Sequence, residues 1–185
     1  MILHQIESEL ATISRNLKNI TVEIAHRLGG GSGVIWRDDG LIVTNSHVVG
    51  DKSVDVRLED RKIVKGEVIA RNRSLDLAVI EVNEKQLPTP KIGNSRFLQQ
   101  GEVVLAMGSP YGFGGTMSAG VIHSLNKKDN LSAIAADIRL APGNSGGVLA
   151  NVCGEVIGIN TAIYQNMALA IPSHLVTDWL KSIGK

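Results

Sequence analysis

Ala141-Pro142-Gly143-Asn144-Ser145-Gly146-Gly147 lies between two apolar runs, Ala133 to Ile138 and Val156 to Ile159, and the rest of the chain is read from it. A turn of such small residues holds one hydroxyl, that of Ser145, in the open. Gly143 can take backbone angles that a side chain forbids, and Gly146 and Gly147 let another backbone approach Ser145 without meeting a Cβ. The turn therefore presents a nucleophile, and it can aim the amides of Gly143 and Ser145, with Asn144 as a further donor, at the spot where the oxyanion of a tetrahedral intermediate forms. Taken alone, a Gly-rich turn with a serine in it is most often only a hairpin.

A serine hydroxyl is a weak nucleophile unless a base stands beside it and a third group orients that base. Of the five histidines, His4, His26, His123 and His174 lie in contexts that read as ordinary surface or half-buried imidazoles. His47 differs: it follows the apolar strand Leu41-Ile42-Val43 and the polar Thr44-Asn45-Ser46, so it sits at a strand-to-turn corner. Asp76, flanked by Leu75 and Leu77 at the start of a strand, is expected to be partly buried, where a carboxylate is costly unless hydrogen-bonded. An imidazole N–H satisfies it.

Thr44-Asn45-Ser46-His47-Val48-Val49, Leu75-Asp76-Leu77-Ala78-Val79-Ile80 and Pro142-Gly143-Asn144-Ser145-Gly146-Gly147 resemble, in that order, the three catalytic blocks of the HtrA/Deg family of trypsin-like serine proteases. Gly31-Ser32-Gly33-Val34-Ile35, Ala106 to Gly112, Gly158-Ile159-Asn160-Thr161 and Ala168 to Ser173 are similar as well, so the resemblance covers nearly the whole chain. It implies a serine endopeptidase acting in protein quality control, with His47, Asp76 and Ser145 as triad and the N–H groups of Gly143, Asn144 and Ser145 as oxyanion hole. It implies no cofactor and no metal. It also implies oligomers, commonly trimers formed through the N-terminal region. The expectation is a protease domain without the PDZ domain common in that family, since the sequence as read has nothing after its last helix.

Composition sets the outer limits. At 185 residues, 43% hydrophobic and 20% charged, the sequence suits one well-buried domain or two small lobes sharing an interface. A net charge of +1 and 3% aromatic residues argue against nucleic-acid binding. Cys153 is the single cysteine, so no internal disulfide forms; it reads as a small buried apolar residue rather than a reactive thiol. No apolar run reaches the roughly 18 residues of a membrane span. Met1 to Glu9 lack the basic start and apolar core of a signal peptide, so a complete chain is expected to be cytoplasmic, and one from which a signal was removed periplasmic or exported.

Along the chain, Leu3, Ile6, Leu10, Ile13, Leu17 and Ile20 form an apolar stripe that predicts an amphipathic helix over about residues 2–18. It is expected to pack on the body and to contribute to contacts between copies. Evenly spaced short strands follow, with Gly29-Gly30-Gly31 as a break and Arg37-Asp38-Asp39-Gly40 as a hairpin turn. Leu87-Pro88-Thr89-Pro90 marks a crossing between lobes, because two prolines so close cannot sit in a central strand. Tyr111-Gly112-Phe113-Gly114-Gly115 reads as a mobile loop. Ser173 reads as the N-cap of a closing helix that runs to about Ile183. The fold class is all-β: two antiparallel six-stranded β-barrels of trypsin-like type, with an N-terminal and a C-terminal helix. Residues 1–185 read as one protease domain, divided into helix 1–19, first barrel 20–98, second barrel 99–172 and helix 173–185.

Two barrels side by side place His47 and Asp76 on one wall of a cleft and Ser145 on the other. The substrate expected there is an extended or unfolded polypeptide pairing with a strand edge near Asn160 and Thr161. The resemblance to the chymotrypsin-like fold implies that the residues just before Ser145 and the strand around Ile159-Asn160-Thr161 wall the pocket on the acyl side of the cut. Ile138, Leu140, Ala141, Ile159 and the alanines at 168 and 170 suit a medium aliphatic side chain there. Arg139 among them selects an acidic side chain if it points inward and is a solvated charge if it points outward; outward is favoured because no obvious partner is supplied. The alternative reading is a peptide-binding module whose catalytic loop rests in an inactive state.

Overall fold

The computed structural model describes residues 2–26, 29–50, 52–109, 115–126 and 133–185. An N-terminal helix, α1 (Ile2–Ile20), leads into β1 (Thr21–His26), β2 (Gly29–Ile35), β3 (Leu41–Thr44), β4 (Ser53–Arg57), β5 (Ile63–Asn72) and β6 (Leu77–Val82). These close into an antiparallel barrel in the order β1-β2-β3-β6-β5-β4. After the stretch with the prolines and a short 3-10 turn (Ser95–Phe97) come β7 (Val103–Gly108), β8 (Thr116–Asn126), β9 (Ala133–Asp137), β10 (Val148–Asn151), β11 (Val156–Tyr164) and β12 (Met167–Pro172). They close a second barrel with the same connectivity, β7-β8-β9-β12-β11-β10, and α2 (Ser173–Ser182) ends the chain's regular structure. The expected fold class is the observed one.

The strands nearest the junction are apolar on both faces, which is why they read as unbroken hydrophobic runs rather than alternating ones. Ile42, Ala78, Ile80 and Val82 fill the first barrel's interior. Their neighbours Leu41, Val43, Leu77 and Val79 point the other way, into a cluster with Leu105, Met107, Val148 and Ile159 of the second barrel and Val176, Trp179 and Leu180 of α2. A fully buried aliphatic side chain contributes about 2 kcal/mol, so this shared cluster is what fixes the cleft between the barrels.

Helix α1 extends two residues beyond the expected end because Leu17 and Ile20, 1% and 5% exposed, are both anchored in the shared cluster. Burial declines toward its start, with Leu10 and Ile13 half-buried and Leu3 and Ile6 at 76% and 47% exposure. The apolar stripe is thus covered at one end and bare at the other.

Three expectations change. Cys153, expected to be buried, is exposed in the turn between β10 and β11. Gly29-Gly30-Gly31 does not break the strand but forms the start of β2, paired with His26, Ala25 and Ile24. The glycines are there for close approach: a Cβ on Gly30 would stand 2.2 Å from the Ile24 carbonyl oxygen, and one on Gly31 2.8 Å from that of Ser145. Ser173 is not the N-cap of α2. Pro172 holds that position without a side-chain cap, and the Ser173 hydroxyl lies 2.7 Å from the Gly93 carbonyl and 2.9 Å from Ser95 Oγ, tying the helix to the crossing segment. Of the loop expected at 111–115, residues 111–114 lie outside the described residues.

Candidate active site

Two consecutive β-turns build the Ser145 segment. Asn144 N–H donates to the Ala141 carbonyl at 3.0 Å, with Pro142 and Gly143 (φ 99°) as the central pair. Gly147 N–H then donates to the Asn144 carbonyl at 3.0 Å, with Ser145 and Gly146 (φ 84°) in the middle. Each has glycine where a type II turn demands positive φ, and the first has proline where that turn favours it. Neither turn uses the N–H of Gly143 or Ser145. Asn144 differs from expectation: its N–H closes the first turn and is not available as a third oxyanion donor.

Both lobes hold these turns. The Ser32 hydroxyl donates to the Gly143 carbonyl at 2.6 Å and accepts from Ser109 N–H at 2.8 Å, while Ser32 N–H donates to the Ser145 carbonyl at 2.8 Å. On the other side Gly146 N–H donates to the Asn160 carbonyl at 2.8 Å and Asn160 N–H to the Gly147 carbonyl at 2.9 Å. Ser32, wholly buried, is a positioning residue that sequence reading passed over; its one signal was a hydroxyl set in an otherwise glycine and apolar strand.

His47 sits in the turn after β3, half-exposed, with Nδ1 2.8 Å from Asp76 Oδ2. An ionised carboxylate only accepts, so Nδ1 carries the proton and Nε2 is left as an acceptor. Asp76 Oδ1 accepts from His47 N–H at 3.1 Å, and the Asp76 carbonyl accepts from Ser46 N–H and Asn45 Nδ2. Asp76 adopts φ 54°, a left-handed conformation that Asp tolerates better than bulkier residues. The hydrogen bond to Asp76 raises the His47 imidazole above its ordinary value against a smaller opposing effect of burial. Burial pushes the Asp76 carboxyl upward, but the hydrogen bonds from His47 and Thr161, with the charge interaction with His47, hold it below its ordinary value.

Thr161 joins the two halves. Its hydroxyl donates to Asp76 Oδ2 at 2.7 Å, and its carbonyl accepts the Ser145 hydroxyl at 3.0 Å. The pairing of β11 with β12 skips from Asn160 to Ala162, so Thr161 is the extra residue of a bulge, which re-aims its side chain across the cleft. In this arrangement the Ser145 hydroxyl donates to the Thr161 carbonyl, and it must turn from there before Nε2 of His47 can take its proton.

The remaining predicted residues divide. Asn160 is fully buried, its Nδ2 on the Val148 carbonyl and its backbone engaged with the nucleophile turn, so the open strand edge starts at Thr161 and runs through Ala162, Ile163 and Tyr164, the last three exposed. Ile138 belongs with Ala168 and Ala170 to the interior of the second barrel, and Ile159 to the shared cluster; none offers open surface. Leu140 and Ala141 are half-exposed and Arg139 is exposed. Among the described residues no group of three His, Cys, Asp or Glu side chains gathers as a metal site would, and no helix is long and apolar enough to cross a membrane.

Residues 31–159 match the family model described as a trypsin-like peptidase domain. A probable periplasmic serine endoprotease, DegP-like, from Pseudomonas savastanoi pv. phaseolicola is 41% identical over 169 residues, covering 84% of this chain and 35% of the relative. Its counterpart from Hahella chejuensis is 40% identical over 164 residues, again covering 35% of the relative. The chain therefore spans about a third of the length of the curated relatives it matches. Among solved structures, the serine endoprotease from Yersinia pestis superposes with a TM-score of 0.85 at 32% identity, over 93% of this chain and 65% of that one. The HtrA-type protease AlgW with a decapeptide gives 0.84 at 28% identity, over 94% and 66%. The matched segment, well over half of the sequence, together with these relatives shows that the chain belongs to the trypsin-like peptidase family, among its DegP-like, HtrA-type members.

Proposed function

We propose that the chain is a serine endopeptidase that cuts extended or unfolded polypeptides with Ser145 as nucleophile, His47 as general base and then acid, and Asp76 as the group that orients and charges the imidazole. The observation that carries this reading is the continuous path Ser145–Thr161–Asp76–His47, which joins the three residues across two barrels through bonds of 2.7 to 3.0 Å. Ser145 Oγ attacks the scissile carbonyl carbon while Nε2 of His47 takes its proton. The oxyanion develops against the N–H groups of Gly143 and Ser145, which the turns leave unused. Nε2 returns the proton to the leaving amine; water repeats the cycle on the acyl-enzyme. The acyl half of the substrate adds a strand to the open edge at Thr161 to Tyr164, where main-chain bonding grips a chain without demanding much sequence.

The half-exposed apolar Leu140 and Ala141 suit an aliphatic residue before the cut, and the exposed Arg139 faces solvent rather than selecting an acid. Digestion of a reduced, unfolded protein, with the cut sites read by mass spectrometry, is expected to show cleavage after Val, Leu or Ala, little changed in Arg139→Ala. Cleavage mainly after Asp or Glu, lost in Arg139→Ala, overturns this preference.

The bare start of α1 supports association of copies. Leu3→Glu combined with Ile6→Glu is expected to lower the mass seen by light scattering while leaving the melting temperature within a few degrees, because neither side chain touches the core. An unchanged mass shows that the stripe has no such partner. The periplasmic placement named for the DegP-like relatives is proposed for this chain as well.

A further inference from the structure

Beside the nucleophile turn lies a cavity of about 330 Å3 whose walls come from both lobes: Glu23 and Ala25 of β1, Gly30 and Gly31 of β2, Ser109 after β7, and Gly143. Its position fixes which half of a substrate it meets. β2 runs against the turn on the side away from β11, since Ser32 N–H donates to the Ser145 carbonyl. A Cβ on Gly31 would stand 2.8 Å from that same oxygen and 2.8 Å from Cγ2 of Val48, the neighbour of His47. The leaving amine must lie where His47 can return its proton. The chain that follows the amine therefore passes Gly30 and Gly31, which line the cavity, and enters it, while the acyl half occupies the edge of β11.

Glu23 is the one ionisable side chain among the described residues that line this space. It is 19% exposed, and its Oε2 meets Nε of the 45% exposed Arg57 at 3.3 Å. The strand register sets Glu23 opposite Arg57 on β4 and opposite Ser32 on β2, so all three side chains share the outer face of the first barrel, toward the second. A carboxylate has about four acceptor positions. One contact through Nε leaves it capacity for a second cation, and a largely buried carboxylate penalises an approaching anion more than a solvated one does.

We propose, resting on the peptidase reading above, that Glu23 sets specificity on the leaving side of the scissile bond by binding a Lys or Arg side chain within the first three residues after the cut. An acidic residue at the same position is disfavoured by like charge, and an apolar one is neither held nor repelled.

The test uses peptides with one fixed acyl-side sequence ending in Val and with Lys, Ala or Glu at each of the first three leaving-side positions. Each variant's kcat/KM is normalised to its own rate on a short substrate whose leaving group is a chromogenic amine too small to reach the cavity. At one of the three positions the wild type is expected to cut in the order Lys, Ala, Glu, with a spread on the order of tenfold between the extremes. Glu23→Gln, which preserves shape, is expected to reduce that spread to under about twofold. Where Glu23→Gln does not fold, Arg57→Gln serves instead and is expected to widen the spread by removing the resident cation. A protein that cuts the short substrate but shows no Lys-over-Glu preference, or keeps it in Glu23→Gln, overturns the role of Glu23. A folded protein that neither cuts the short substrate nor labels with a serine-directed fluorophosphonate contradicts the peptidase reading itself.

Discussion

Ser145→Ala, His47→Ala and Asp76→Asn are each expected to lower kcat/KM by about three orders of magnitude or more, and paired substitutions are expected to lose little beyond the worse single one. The three side chains act on one proton in one step, so removing any of them leaves the same residual catalysis, that of the oxyanion donors and substrate binding. Multiplying losses in a double variant would show that they act independently. The pH profile carries the same argument. His47 must be neutral to accept the Ser145 proton, and its hydrogen bond to Asp76 raises its pKa above the ordinary 6.5. Activity in the free enzyme therefore falls as pH drops through a midpoint above 6.5 rather than below it. In Asp76→Asn what activity remains should have its acid limb moved to lower pH, because the raising partner is gone. Near-wild-type turnover in Asp76→Asn would assign the orienting role elsewhere. Asp55, in the middle of β4, is already paired with Lys65 at 2.5 Å and is a poor substitute.

Gly146→Ala is expected to be among the most destabilising single changes in the chain, by several kcal/mol, with loss of activity on whatever folded protein remains. Two effects coincide there. The residue needs φ 84°, and a Cβ would stand 2.0 Å from the Ser32 carbonyl oxygen and 2.3 Å from Thr44 Oγ1, atoms of β2 and β3 that are themselves hydrogen-bonded at 2.7 Å. Relief requires the nucleophile turn to retreat from the first barrel, which breaks the Ser32 contacts to Gly143 and Ser145. Gly101→Ala separates the two effects: its φ is 89° but nothing lies within 4 Å of the added Cβ, so only the backbone cost of roughly 1 kcal/mol applies. For a domain of this size each 1 kcal/mol lowers the melting temperature by about 2–4 °C. Calorimetry giving equal shifts for the two variants would show that the barrels do not approach as closely as the structure has them.

The strands were legible because the physics that forms them is local. Apolar runs of four to six residues, punctuated by Asp39-Gly40 and by Pro88 and Pro90, mark strand and crossing with little help from distant residues. The three chemical side chains were legible for a related reason, each standing at a polar break in an apolar run. Relations across the cleft were not. Nothing near Thr161 in sequence announces that a bulge turns its hydroxyl onto Asp76, because the bulge depends on how β11 registers against β12. Nothing near Gly30 says that a Cβ there would collide with the Ile24 carbonyl of the neighbouring strand, so three glycines in a row read as a break where they are the condition for contact. Likewise the resemblance places Ile138 and Ile159 at the pocket, whereas the alternation within the second barrel turns both side chains into packed interiors. Ser173 looked like a helix cap from its place after Pro172, and the crossing segment, remote in sequence, engaged its hydroxyl first.

The central claim is that Ser145 is a nucleophile activated by His47. The most direct measurement is intact-protein mass spectrometry after exposure to a serine-directed fluorophosphonate, followed by peptide mapping of the adduct. One covalent phosphonyl group is expected, on Ser145, formed faster as pH rises through the raised pKa of His47, and absent from Ser145→Ala. Folded wild-type protein that stays unmodified at pH 8, or that carries the adduct on another residue, would contradict it.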